Sequence, residues 1–133
     1  MTTAAQDIER LFQALGDRTR LRLLNLIGSN EVCVCLFVEA LGESQPKISR
    51  HLAYLRRAGV VTARREGKWM HYRIAEPSNP VATEIMRGLG RWLTTDPEMQ
   101  QDRARLVSVC CASDGPTQLR MAPKPAGLVE AAS

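Results

Sequence analysis

Apolar residues recur at helical spacing from the start of the chain. Ile8, Leu11, Phe12 and Leu15 fall on one helical face, and Gly16 closes that helix. Asp17 is placed to cap a second helix, in which Leu21, Leu24 and Ile27 share a stripe before Gly28 ends it. A third, short helix is predicted over about Val34 to Leu41, stopping at Gly42. Ser44 suits the N-cap of a fourth, with Pro46 tolerated in the first turn, Ile48, Leu52 and Leu55 as its apolar stripe and Gly59 at its end. The period then changes: "VVTARRE" and "WMHYRIA" read as strands joined through Glu66-Gly67-Lys68, a hairpin with glycine at the turn. Pro77 and Pro80 bracket the start of a fifth helix carrying Val81, Ile85, Leu89 and Trp92, and Pro97 opens a further helical segment to about Val109. Short helix, tight turn, second helix and hairpin, in that order, predict a mainly α fold with a β-hairpin wing, a winged helix-turn-helix.

The expected domain is residues 1–111. Residues 112–133, "ASDGPTQLRMAPKPAGLVEAAS", are rich in Ala, Pro and Gly without periodicity and are predicted to be a disordered tail. A chain of 133 residues with 44% hydrophobic and 24% charged residues reads as one soluble globular domain. The N-terminal "MTTAAQDIERLF" lacks the basic-then-apolar order of a signal peptide, and no apolar run approaches the ~20 residues of a membrane span. The expectation is a cytoplasmic protein without membrane contact, where thiols stay reduced.

Charge sharpens the picture. The formal net charge is +4, but Ser44–Arg73 holds eight basic residues against the single acid Glu66, a net +7 that leaves −3 elsewhere. A concentrated basic block on a near-neutral body is the footprint of a nucleic-acid binder, although a solvated surface face reads the same way. On the fourth helix, Gln45, Lys47 and Ser49 lie in the first turns, the end that enters the major groove. Gln45 and Ser49 suit base edges, and Lys47 and Arg50 suit phosphates. His51 projects nearer the apolar edge, where packing, a phosphate contact or base readout are all open. Arg64, Arg65 and Lys68 would sit near the hairpin tip and follow the flanking backbone or minor groove. Trp69 reads as hairpin core before it reads as a base-stacking ring. Such modules usually pair to read half-sites about 34 Å apart, so a homodimer is expected, with the first and fifth helices supplying its apolar faces.

The stretch "EVCVC" carries the chemistry. In a reducing compartment Cys33, Cys35, Cys110 and Cys111 are better metal ligands or redox groups than a disulfide framework. Residues two apart on a regular helix point about 200° apart, so one ion binding both Cys33 and Cys35 is expected to distort the helix start. The C-x-C spacing is too tight for a usual zinc knuckle and suits a softer, thiophilic ion. Neither His51 nor His71 has ligand-like spacing to the cysteines. Cys110 and Cys111 form a second pair at the end of the last helix, either simple tail thiols or completion of a three-sulfur site. No C-x-x-C, G-x-G-x-x-G or P-loop occurs, and no nucleophile–base–oxyanion set is present, so an enzyme is not expected.

Together, "EVCVC", "SQPKISRHLAYLRRAGVV" and "EGKWMHYRI" resemble the arsenic-responsive branch of the ArsR/SmtB metalloregulatory repressors, over about Ile8 to Trp92. The resemblance implies a homodimeric repressor of an arsenic-resistance operon, released from double-stranded operator DNA by As(III) or Sb(III), with Cys33 and Cys35 as ligands. It also admits cadmium, lead or zinc sensing, and a redox switch through the same thiols stays open. Some members carry a third cysteine three positions further on, where this chain has Val38. That departure moves the weight for a third sulfur to Cys110 and Cys111, without a choice between them.

Overall fold

The structure, a computed structural model, describes residues 4–111. The predicted tail, 112–133, and the side chain of Cys111 lie outside the described residues. The elements run α1 (Ala4–Leu15), α2 (Arg18–Ile27), β1 (Val32–Cys33), α3 (Val34–Leu41), α4 (Gln45–Arg57), β2 (Val61–Glu66), β3 (Trp69–Ile74), α5 (Pro80–Thr95) and α6 (Pro97–Cys111). Local chemistry sets the helix starts. The Asp17 side chain accepts from the Arg20 amide, Ser44 from that of Lys47, and Asn79 from that of Ala82. Gly42 ends α3 in the left-handed conformation that a side chain would strain, which lets the chain turn into α4 within three residues.

The core gathers one face of each helix: Leu11 of α1, Leu23, Leu24 and Ile27 of α2, Leu36 and Phe37 of α3, and Ile48, Leu52 and Leu55 of α4, all buried. α3 and α4 are the helix-turn-helix, and β2 and β3 are the wing. Glu66 pairs with Trp69 across a two-residue loop in which only Gly67 has positive φ, as a type II′ turn requires.

Two features differ from the sequence expectation. A third strand, β1, joins the wing, giving the antiparallel order β1-β3-β2 with Cys33 opposite His71. Cys33 is therefore not on a helix: it is the extended N-cap residue of α3. Secondly, α6 is fastened to α2 by polar groups. Arg22 donates to both carboxylate oxygens of buried Asp102, at 2.8 and 3.0 Å. Buried Asn25 donates to the Met99 carbonyl at 2.9 Å and accepts from Arg103 at 2.8 Å, and Arg18 pairs with Glu98. α6 also packs across α3. No helix among the described residues is long and apolar enough to cross a membrane.

Candidate functional site

The two thiols meet at the junction of β1 and α3. Cys33 closes the strand with φ −74° and ψ 143°, and Cys35 occupies the first turn of the helix. With one residue extended and the other helical, the 200° divergence of a regular helix does not apply. The sulfurs stand 3.1 Å apart beside an intact α3. The expectation that an ion must unwind the helix to reach both thiols is corrected on this point. The kink is already there, because β1 pairs with the wing and holds Cys33 outside the helix.

The hydrogen bond from the Cys35 thiol holds Cys33 down to about 7, with smaller help from the amides of Cys35, Met70 and Val34. The same bond, burial and the adjacent sulfur push Cys35 well above the ordinary thiol range. The shifts favour Cys33 as the more acidic thiol of the pair. Two bonds of about 2.3 Å meeting near a right angle span about 3.3 Å, a tetrahedral pair about 3.8 Å and a linear pair about 4.6 Å. The 3.1 Å separation of the ion-free pair lies nearest the first of these.

Beside the sulfurs lies a cavity of about 320 Å³. Val34 and the two cysteines line it together with Trp69, Met70 and Tyr72 of the wing. Gln45 and Ser49 of α4 and Lys68 of the hairpin loop complete its rim. The thiol pair therefore sits in the crevice between the recognition helix and the wing. Among the described residues, no three Cys, His, Asp or Glu side chains converge into a metal-binding group. Cys110 is buried near the end of α6, apart from the pair in that sense.

The residues expected to face DNA divide. Gln45, Ser49, Arg50, Arg65 and Lys68 are exposed, as that role requires. Lys47 is half-buried and bridges Glu43 at 3.1 Å. His51 turns inward, its Nδ1 3.4 Å from Arg20 and 3.7 Å from Asp17, so of its open roles the structure favours packing. Arg20 also stacks over Tyr54 at 4.2 Å, which ties α2 to the recognition helix. Arg64 is held by Glu31 at 2.6 Å and Glu66 at 3.3 Å. Its guanidinium pulls the Glu31 carboxyl below the usual range.

Sequence reasoning missed Glu31 and Met70, and weighed His71 only as a ligand. His71 is 4% exposed with no hydrogen bond to its Nε2, the nearest acid being Glu66 at 3.7 Å. Glu31 clamps Arg64 across the sheet, and Met70 lines the cavity. Only strand pairing brings His71 and Met70 to Cys33 and Arg64 to Glu31, and β1 is too short to announce itself by alternation.

Residues 17–63 match the family model for a bacterial regulatory protein, arsR family. The chain is 51% identical over 106 residues to an arsenical resistance operon repressor of Escherichia coli strain K12, covering 79% of this chain and 89% of that one. It is 52% identical over 110 residues to the arsenic resistance transcriptional regulator ArsR2 of Pseudomonas putida, covering 76% and 95%. Among solved structures, a homodimeric winged helix-turn-helix DNA-binding domain from Mycobacterium bovis superposes with a TM-score of 0.56 at 29% identity, covering 68% of this chain and 78% of that one.

Proposed function

This chain belongs to the arsR family of bacterial regulatory proteins, and on that premise we propose that it is a metalloid-responsive repressor of an arsenical-resistance operon. It is a DNA-binding regulator and not an enzyme. In this reading it grips operator DNA as a homodimer and lets go when As(III) or Sb(III) binds Cys33 and Cys35. The observation that carries the reading is the 3.1 Å thiol pair lodged between recognition helix and wing. Its spacing supports a pyramidal metalloid over tetrahedral zinc or a linear soft ion.

The coupling follows from where the two sulfurs are attached. Cys33 belongs to the sheet through its pairing with His71 in β3, whereas Cys35 belongs to α3. An ion bonded to both fixes the wing relative to the helix-turn-helix. Gln45 and Ser49 share the same cavity, so a change of its shape reaches the groove-reading turn directly. Coupling of about 1–3 kcal/mol is usual for allostery, and linkage makes DNA weaken ion binding by the same factor. Cys110 and Cys111 remain the candidates for a third sulfur: α6, which carries them, packs across α3. Gln45, Lys47, Ser49, Arg50, Arg65 and Lys68 are the proposed DNA contacts, with His51 and Arg64 acting through their intramolecular partners.

The test is operator release followed by fluorescence anisotropy on a DNA fragment selected for binding. Arsenite should dissociate the wild-type protein and leave the Cys33→Ser/Cys35→Ser double variant bound. Release of that variant at the wild-type arsenite concentration defeats the proposal.

A further inference from the structure

Between α1 and the C-terminal end of α4 runs a groove of about 320 Å³, lined by Arg10, Gln13, Tyr54, Arg57 and Ala58. Arg18, Arg22 and Arg64 are spent on acids within the fold, and Arg20 on the carbonyls of Gln13 and Ala14. Arg10 and Arg57 are exposed and, among the described residues, pair with no acid. No acid among the described residues lines the groove either. Asp7 and Glu76 line a separate cavity that shares Arg10 and Arg57. Arg20 lies over the Tyr54 ring at 4.2 Å and holds that side chain in place. Two guanidinium forks without a counter-ion, a glutamine amide and a tyrosine hydroxyl make a donor set suited to phosphate oxygens.

The groove continues the face of α4 that turns away from the core. Arg57 follows Arg50 by two turns, about 10.5 Å along one face of the helix and opposite buried Ile48, Leu52 and Leu55. The first turns of a recognition helix enter the major groove, whereas its far end and a neighbouring helix meet the backbone. On α1, exposed Phe12 points about 200° away from Arg10, so a second chain covering Phe12 leaves the groove open. We propose that Arg10 and Arg57, supported by Gln13 and Tyr54, form a second grip on operator DNA. It holds the sugar–phosphate backbone beside the half-site and touches no base. Each protomer of the homodimer brings one such grip, so the duplex is held on both flanks. The contact adds affinity and fixes register without sequence selectivity.

The inference rests on the regulatory reading above, and the experiment separates the two. Affinity of the full-length protein for a selected operator fragment and for an unrelated duplex of equal length is measured by anisotropy over a series of salt concentrations. Each phosphate contact contributes about 0.9 to the slope of log affinity against log salt. Two arginines in each of two protomers should therefore make Arg10→Gln/Arg57→Gln about 3 to 4 shallower than wild type. Its affinity should fall at least about tenfold, and by the same factor on both duplexes. Arg10→Lys/Arg57→Lys, which keeps both charges, should retain the wild-type slope. Circular dichroism and sedimentation check that each variant is a folded dimer. A second measurement needs no variant to fold: neutral methylphosphonates are placed at single operator phosphates. At one or more positions flanking the half-site they should weaken wild-type binding and flatten its slope. A slope unchanged in the folded Gln variant, a loss confined to the operator, Lys variants as shallow as the Gln ones, or no sensitive flanking phosphate overturns the inference. If the wild type prefers the operator and any of these results is found, this inference alone falls. If the wild type shows no preference between the duplexes, the regulatory reading falls with it.

Discussion

At Cys33 a single backbone choice decides the chemistry. Its extended ψ of 143° lets the sulfur approach Cys35 to 3.1 Å, within hydrogen-bonding distance. One member of the pair is thereby a nucleophile near neutral pH and the other is not. Alkylation by iodoacetamide tests this directly, because only the thiolate reacts. The sign is fixed by the depressed value: the reactive fraction of Cys33 rises with pH and is half-maximal near about 7. Cys35 should label far more slowly across the same range. In Cys35→Ala the donor is lost, and the Cys33 midpoint should move up toward the ordinary thiol value of about 8.5. Site-resolved mass spectrometry between pH 5 and 9 reads both (the window spans about two units either side of the folded value). A Cys33 midpoint already near 8.5 in the wild type removes the assigned proton donor.

At the scale of elements, α6 is the piece with the least obvious reason to dock, and its attachment is polar. Asp102 is 4% exposed and receives both nitrogens of the Arg22 fork, so removing it strands a half-buried guanidinium against α2. Asp102→Ala should cost about 2 kcal/mol, less than a fully buried pair because Arg22 keeps some contact with water. Urea unfolding checks it, and a cycle with Arg22→Met should recover much of the loss. A change below about 0.5 kcal/mol would assign the docking to Met99 and Leu106 packing instead. None of this was legible in the sequence, since the partners lie 80 residues apart and no periodicity links them. The apolar stripes of α1, α2, α4 and α5 were legible, as were the Asp17 and Ser44 caps and the Gly67 hairpin, because each is a local signal. β1 was not: two residues show no alternation, and the strand exists only because β3 pairs with it. The thiol pair was visible as a pair but not as a convergent one. The 200° divergence applies only when both thiols lie within a helix, and Cys33 lies just outside it.

At the scale of the whole molecule, the basic face and the apolar face are on different elements, which is what a paired DNA reader needs. α4 and the wing carry the exposed cations Arg50, Arg56, Arg57, Arg65 and Lys68. The large exposed apolar side chains, Phe12 at 57%, Val81 at 58% and Trp92 at 47%, lie on α1 and α5, which pack against each other. Val81 and Trp92 are three turns apart on one face of α5, so with Phe12 they form a surface that a second copy of the chain can cover. A single module gains little area on DNA. Two modules fixed to each other engage half-sites about 34 Å apart, and the second contact is then nearly intramolecular. A charge placed in this face should therefore abolish tight operator binding without touching the basic residues. We expect Trp92→Glu and Phe12→Glu to sediment as monomers at micromolar concentration with unchanged far-UV circular dichroism. Operator affinity should fall at least about 100-fold, the lower end of what linked sites typically gain. Because Cys33 and Cys35 lie on β1 and α3 and the exposed apolar side chains on α1 and α5, the monomers should still lose both thiols to arsenite. Persistence of the dimer in both variants would place the interface elsewhere on the molecule, and loss of thiol reactivity on monomerisation would mean that the pair depends on the partner chain.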